Sequence, residues 1–329
     1  MDIVSIIAIG FNVQETIKEC INSIQAQTYE NLEIIFVDDG SSDKTAEIVK
    51  ELEKKDNRIK YIFQENSGAN AARKKGFKYV MGDYCMFIDG DDLLESKAIE
   101  ICMKKINEKN YDFVCYDFYR FTEDKEKVKD SHQYSVEEYV ENEYLTAIMD
   151  MRTPHYLWNK LYRVTFLNKL PFDDIPNITM GDDMAANVRM GIVQPKTVAI
   201  PEKLYGYRVS STSVSGIPNK KYYDLIAMMD DIQSKLNENN LLEEYRELLE
   251  FNYFLNFYYY VVRNKYPYVG YQKAIYKMWK EQNVKISENK KIFNFVKKKN
   301  IVLKALIYMI DKYEIVEIVL TKIYCGFRK

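Results

Sequence analysis

The chain has 329 residues, 47 of them basic and 49 acidic, for a formal net charge of −2. That near balance argues against a nucleic-acid footprint but leaves membrane contact open. Apolar residues make up 47%, as in ordinary globular proteins, and the length suits two domains.

Four short apolar runs punctuate the first ninety residues: 3–9, 32–37, 59–63 and 84–88. Each reads as a buried strand. Helical patterns lie between them. After Asn12, Ile17, Cys20, Ile21 and Ile24 recur at helical spacing; after Ser42 and Asp43, Ala46, Val49 and Leu52 do the same; residues 69–80 form a third pattern, closed by Gly82. Such alternation predicts a mostly parallel sheet with helices on both faces, whose ligands sit beyond the carboxyl ends of the strands. Phe11 and Asn12, Asp38 and Asp39, and the cluster Asp89-Gly90-Asp91-Asp92 all fall there. Three aspartates within four residues repel one another and become tolerable beside a cation or several N–H donors. An N-capped turn feeding a helix near residues 93–105 is the plainer reading of the same cluster.

With the blocks in view, the first half resembles family 2 glycosyltransferases. The likeness is carried by Val4 through Asn12, Ser23-Ile24-Gln25-Ala26-Gln27-Thr28-Tyr29, Val37 through Thr45, Asn66-Ser67-Gly68 and Phe87 through Asp92. It is dense over residues 3–95 and thins out to about 215. It implies the GT-A fold and transfer of a sugar from a nucleotide donor with inversion at the anomeric carbon. By that resemblance Phe11 borders the nucleobase, Glu15 reaches the base from the first helical turn, and Asp39 accepts hydrogen bonds from base or ribose, with Asp38 buttressing the loop. Arg73 faces the nucleotide, Asp89 takes the ribose hydroxyls, and Asp91 ligates Mg2+ or Mn2+ across the two phosphates, as hard oxygen ligands suit those ions. The expected donor is a UDP-sugar, uridine being the family's commonest nucleotide.

Trp158-Asn159-Lys160-Leu161-Tyr162 through Gly181-Asp182-Asp183 resembles the acceptor half. There Asp183 matches the general base and Asp182 its supporting carboxylate; a paired acid raises one partner's pKa toward neutrality. The pair is equally a good helix start. Trp158 is a candidate platform for an acceptor sugar ring, or a core residue. Arg208 is the cation available to close over the diphosphate, since neither His132 nor His155 has a metal-ligand spacing. Ile9-Gly10 replaces the usual Pro-Val, so the first nucleotide loop is expected to be looser.

The five cysteines, Cys20, Cys85, Cys102, Cys115 and Cys325, lack paired spacing and read as reduced core thiols. The first strand begins at once, so no signal peptide is expected and the protein is placed in the cytoplasm. Beyond about residue 216 long helical patterns take over, including 241–262 with Phe254, Phe257, Tyr258 and Tyr259. The last pattern, from Val302 to Ile323, is too charged to span a membrane. Lys290, Lys291, Lys297, Lys298 and Lys299 with Phe293 and Phe295 precede it. Three readings stand for this region: a helical appendage on the catalytic domain, a homodimer interface, or a basic surface on anionic lipid at the inner face of the plasma membrane. The domains expected are a GT-A domain over 1–215, with a nucleotide-sugar half at 1–95 and an acceptor half at 96–215, and helices over 216–329.

The function expected is metal-assisted transfer to a hydroxyl of a glycan or lipid-linked glycan, extending a surface polysaccharide. The alternative is a non-catalytic nucleotide-sugar-binding scaffold of the same fold. A dinucleotide oxidoreductase is excluded, because no Gly-x-Gly-x-x-Gly follows any strand.

Overall fold

A computed structural model of the chain describes residues 2–124, 127–128, 136–170, 174–176, 178–209, 223–258 and 269–312. They divide into two compact units, Met1–Ile148 with Thr153–Ser213, and Met149–Arg152 with Val214–Lys329.

In the first unit the four apolar runs form β1 (Val4–Gly10), β2 (Leu32–Asp38), β3 (Ile59–Phe63) and β4 (Tyr84–Asp89), separated by α1 (Ile17–Gln25), α2 (Thr45–Glu53) and α3 (Ala69–Phe77). Then come β5 (Leu93–Leu94), α4 (Ala98–Glu108), β6 (Phe113–Phe121), β7 (Lys127–Val128), β8 (Glu137–Tyr139) and α5 (Glu143–Met149). The unit closes with β9 (Lys160–Arg163), α6 (Val164–Leu167), α7 (Asp182–Ile192) and β10 (Thr197–Arg208). The sheet order is β3-β2-β1-β4-β9-β6-β10-β5, with β7 on β6 and β8 on β10. Strands β1 to β4 are mutually parallel, as continuous apolar strands covered on both faces should be. Antiparallel β9 splices them to the parallel pair β6 and β10.

The helix expected directly after the aspartate cluster starts later. Leu93 and Leu94 pair instead with Gly206 and Tyr205 of β10, and α4 begins at Ala98. The partner strand lies more than a hundred residues away, out of reach of local pattern.

Helix α3 is the least apolar of the nucleotide-side helices; its buried face is Asn70, Ala72, Arg73 and Gly76. A Cβ at Gly76 would stand 2.5 Å from Ile7 Cγ2 and 3.1 Å from Val37 Cγ2, so the glycine lets α3 lie close on β1 and β2. That close approach brings Arg73 within reach of the strand ends. On the acceptor side Gly191 does the same for α7, where an added Cβ would meet Leu145 Cα at 2.7 Å.

The second unit comprises α8 (Asp224–Glu238), α9 (Leu242–Phe257), α10 (Val269–Glu281), α11 (Lys290–Lys297) and α12 (Ile301–Lys312). Its core is aromatic: Phe254 meets Trp279 and Phe295 edge-on, and Phe257 stacks on Trp279 at 5.9 Å. Tyr259 and the far end of the last helical pattern, with Cys325, lie outside the described residues. The other four cysteines are buried and free. Among the described residues no helix is long and apolar enough to cross a membrane.

Gly191→Val tests the α5–α7 contact. We expect a loss of about 1–3 kcal/mol in urea denaturation, from overpacking against backbone. An unchanged midpoint would mean that α5 yields without cost.

Candidate active site

The loops after β1 and β2 are sewn together rather than loose. Asn12 N–H donates to Ser41 Oγ at 2.9 Å, Asn12 Oδ1 accepts from Ser42 N–H at 2.9 Å, and Val13 N–H donates to Thr45 Oγ1 at 2.9 Å. Gly10 leaves room for this, since a Cβ there would sit 2.5 Å from Val13 Cγ2. Phe11, just beyond β1, is 49% exposed, and Glu15 is exposed with its carboxylate beside the Gln14 amide.

Asp38 and Asp39 have separate tasks. Asp38 accepts from Ser41 N–H at 2.8 Å and from Tyr61 OH at 2.7 Å. Asp39 accepts from Gln64 Nε2 at 2.7 Å and from the N–H groups of Ser67 and Gly68 at 2.9 Å, which fixes the loop leading into α3. Three bonds use most of a carboxylate's roughly four acceptor sites, leaving about one for a nucleoside.

At the end of β4, Arg73 Nη2 donates to Asp89 Oδ1 at 2.9 Å; its Nη1 lies 3.4 Å from Asp182 Oδ2 and 4.0 Å from Asp183 Oδ1. One buried guanidinium thus joins the strand-end carboxylate to the acidic pair that opens α7. Gly181, at φ 90°, N-caps that helix and turns both acids into its first turn. Burial pushes the Asp183 carboxyl up to about 7, with Asp182 and Asp89 adding to the rise and Arg73 and Lys160 opposing it. Asp183 Oδ1 is out of solvent and has no hydrogen-bond donor. Asp182 is raised by burial also, against the pull of Arg73.

Burial and then Asp89 push Asp91 up to about 6. No cluster of three or more His, Cys, Asp or Glu among the described residues is arranged to hold a metal. The donor set still fits Mg2+ or Mn2+ bound chiefly through phosphate and water, because Asp91 offers a hard oxygen whose ionised form is strained by its neighbour.

Asp92, which the sequence left without a role, ties the turn to the sheet. It accepts from Tyr205 OH at 2.7 Å and Arg208 N–H at 2.8 Å, while Asp89 N–H donates to Tyr205 OH at 3.2 Å. Arg208 turns inward: its Nε donates to the Asp91 carbonyl at 2.7 Å, its Nη2 to Glu19 at 2.7 Å, and its guanidinium lies over Phe121. In this conformation it supports the aspartate turn from behind.

Trp158 is not an open platform. It is 4% exposed, stacked on Tyr156 at 4.5 Å and Tyr205 at 4.4 Å, with Phe118 edge-on. Four rings from three segments converge there, which hides the indole; Tyr156 and Tyr207, flanking it, stay half-buried.

Ahead of β9 the loop has no ladder, yet five consecutive carbonyls are captured by side chains. Lys160 Nζ donates to those of Pro154, at 3.4 Å, and Tyr156; Asn187 Nδ2 donates to that of His155 at 3.0 Å. Tyr162 OH takes that of Leu157 at 3.0 Å and Tyr116 OH that of Trp158 at 2.5 Å. Asn187 also binds the Asp183 carbonyl at 2.7 Å and accepts from Tyr144 OH. Lys160 and Asn187 escaped the sequence reading. The signals were a lysine opening an apolar strand and an asparagine four residues after Asp183, on its helix face.

The family model of Glycosyl transferase family 2 matches residues 5–175. The chain belongs to that family. It is 34% identical over 263 residues to glycosyltransferase GlyA of Streptococcus pneumoniae, covering 76% of this chain and 37% of GlyA. It is 31% identical over 251 residues to EpsH of Bacillus subtilis, covering 75% of this chain and 73% of EpsH. The chain therefore spans little more than a third of GlyA's length. Residues 1–349 of Staphylococcus aureus TarS, solved in complex with UDP-GlcNAc, superpose with a TM-score of 0.61 at 18% identity over 80% of this chain and 82% of that one. That likeness speaks to the fold, which is of the GT-A type.

A carboxyl that keeps its proton to higher pH when folded than when unfolded costs the folded state stability as pH climbs from about 4, its unfolded value, through its folded value. Asp183→Asn should therefore be more stable than wild type at pH 8, on the order of 1–3 kcal/mol, and lose that advantage below about pH 4. Urea denaturation at both pH values decides it; an Asn variant that is less stable at pH 8 would refute the raised carboxyl.

Proposed function

We propose that the chain is an inverting transferase that moves a hexosyl or N-acetylhexosaminyl group from a nucleotide diphosphate donor, a UDP-sugar, to a hydroxyl of a glycan or lipid-linked glycan. The observation that carries this reading is the Arg73 bridge, which sets the carboxylate expected at the ribose, Asp89, a guanidinium's width from Asp182 and Asp183. A donor sugar beyond Asp89 would then meet an acceptor hydroxyl beside Asp183.

Phe11 and Asp39 receive the nucleoside, and Asp89 the ribose. Asp183, whose carboxyl is made more basic by burial and by Asp182, takes the proton of the acceptor hydroxyl as that hydroxyl's oxygen attacks the anomeric carbon. The bond from that carbon to the diphosphate breaks on the opposite face, and the nucleoside diphosphate leaves. Asp91 and the donor phosphates would hold Mg2+ or Mn2+, which supplies Lewis-acid stabilisation to the leaving group. Tyr156 and Tyr207, rather than Trp158, offer ring faces to the acceptor. UDP-GlcNAc in the TarS complex supports a uridine donor by fold likeness.

We further propose peripheral contact of the second unit with anionic lipid. On α12, Ile301 (81% exposed), Val302 (67%), Ala305, Tyr308 and Met309 recur at i, i+1, i+4, i+7 and i+8, one continuous exposed face. Exposed Lys290, Lys297 and Lys298 precede it, and no acidic residue occurs from 289 to 310.

The first test is nucleoside diphosphate release from a panel of nucleotide sugars with Mn2+, Mg2+ or chelator. One donor should turn over, with a rate that rises with pH through about 7 as Asp183 loses its proton. Asp91→Ala should abolish the metal response, and Asp183→Asn should cut the rate by about 10²–10⁴. Nucleotide binding without turnover, in the presence of acceptor glycans, would favour the scaffold reading. For the lipid contact, vesicles containing phosphatidylglycerol should sediment the protein at low salt, and Ile301→Asp with Val302→Asp should release it. Binding unaffected by salt or substitution, or a homodimer that buries this face in solution, would overturn it.

A further inference from the structure

Lys160 is fully buried, and its three N–H groups go to neutral acceptors: the carbonyls of Pro154 and Tyr156 and Asn159 Oδ1 at 2.9 Å. Asn159 is itself buried and pinned to β6, its amide donating to the Tyr116 carbonyl at 3.1 Å. The three acceptors use all three N–H groups, one more than an amide carries, yet all are neutral, so these bonds leave the ammonium's charge uncompensated in the interior. The anion within electrostatic reach is Asp183; the other titratable groups near Lys160 are the Cys115 thiol, which burial keeps protonated, and His155, held neutral with its pKa near 4. Asn187 locks the two parts together, because one amide holds both the His155 carbonyl of the loop and the Asp183 carbonyl of α7.

We propose that Lys160 is a positioning residue for the transfer reaction: it holds the 154–159 loop, which Asn187 ties to α7, and sets a buried positive charge near the Asp183 carboxylate. The proposal rests on the reading of Asp183 as the base. Asp183 is met by Asp182 on its own helix, Arg73 from α3, Asp89 from β4 and Lys160 from β9, two anions against two cations. Arg73 is shared among three carboxylates and sits where donor binding would draw on it. Lys160 is held by the loop alone, so its charge stays in place whether or not a donor is bound. The same side chain thus sets where the acceptor loop lies and how readily the base beside it gives up its proton.

The test compares wild type, Lys160→Gln and Lys160→Arg by carboxyl 13C NMR, with Asp183→Asn to assign the Asp183 signal. In Lys160→Gln the Asp183 titration should move up by about one pH unit, and in Lys160→Arg it should stay near wild type. The acid limb of nucleoside diphosphate release should follow the same shift, with the KM for the donor within about twofold of wild type. The reciprocal experiment needs no change at Lys160: in Asp183→Asn the Lys160 ammonium should lose its proton at lower pH than in wild type. Asp183 titrating alike in folded Lys160→Gln and wild type, or Lys160 titrating alike with and without the Asp183 carboxylate, would overturn the proposal. A wild-type enzyme that turns over no donor would count against the transferase reading instead, and both NMR titrations would still decide this one.

Discussion

Everything at the mouth of this sheet depends on one guanidinium shared by three carboxylates. Asp89, Asp182 and Asp183 come from β4 and α7, segments ninety residues apart, and each would resist burial next to the others. Arg73 reaches all three because Gly76, one turn later, lets α3 settle onto β1 and β2 without a side chain between. The charge balance is incomplete. Asp91 and Asp183 stay protonated to higher pH than ordinary carboxyls, a strain of the kind found where groups are poised for proton transfer or cation binding.

A second layer holds this first one. Asp92 and Tyr205 lock the aspartate turn onto β10, and Arg208 braces it through the Asp91 carbonyl. The polar groups behind the site thus come from strands that belong to the acceptor half of the fold. Donor-side and acceptor-side elements are thus tied to each other by hydrogen bonds directly behind the site.

The parallel strands were legible because each is an uninterrupted apolar run a few residues long, and a strand covered on both faces needs nothing else. The strand-end location of Phe11, Asp39, Asp89 and Asp91 followed from that. Contacts made at long range were not legible. Leu93 and Leu94 look like the start of a helix until Tyr205 and Gly206 arrive to pair with them. Trp158 looks like a platform until Tyr205 and Phe118 cover it. Arg73 looks like a nucleotide ligand, and only the fold reveals that Asp182, 109 positions away, shares it. Local pattern fixes which face of an element is apolar; it carries no information on which distant polar group will meet a charge.

The loop ahead of β9 has a consequence for how such enzymes diversify. Its backbone is held by donors that lie outside it, on β6, β9 and α7, and those donors grip carbonyl oxygens, which every amino acid possesses. The side chains of His155 and Tyr156 take no part in that grip: Tyr156 packs on Trp158 and Phe118, and the His155 ring tilts against Tyr156. Substitutions at these two positions can therefore alter what the loop presents without changing where it runs. The course of the loop and the surface it offers are thus set by different groups, the first by carbonyl oxygens common to every residue and the second by side chains.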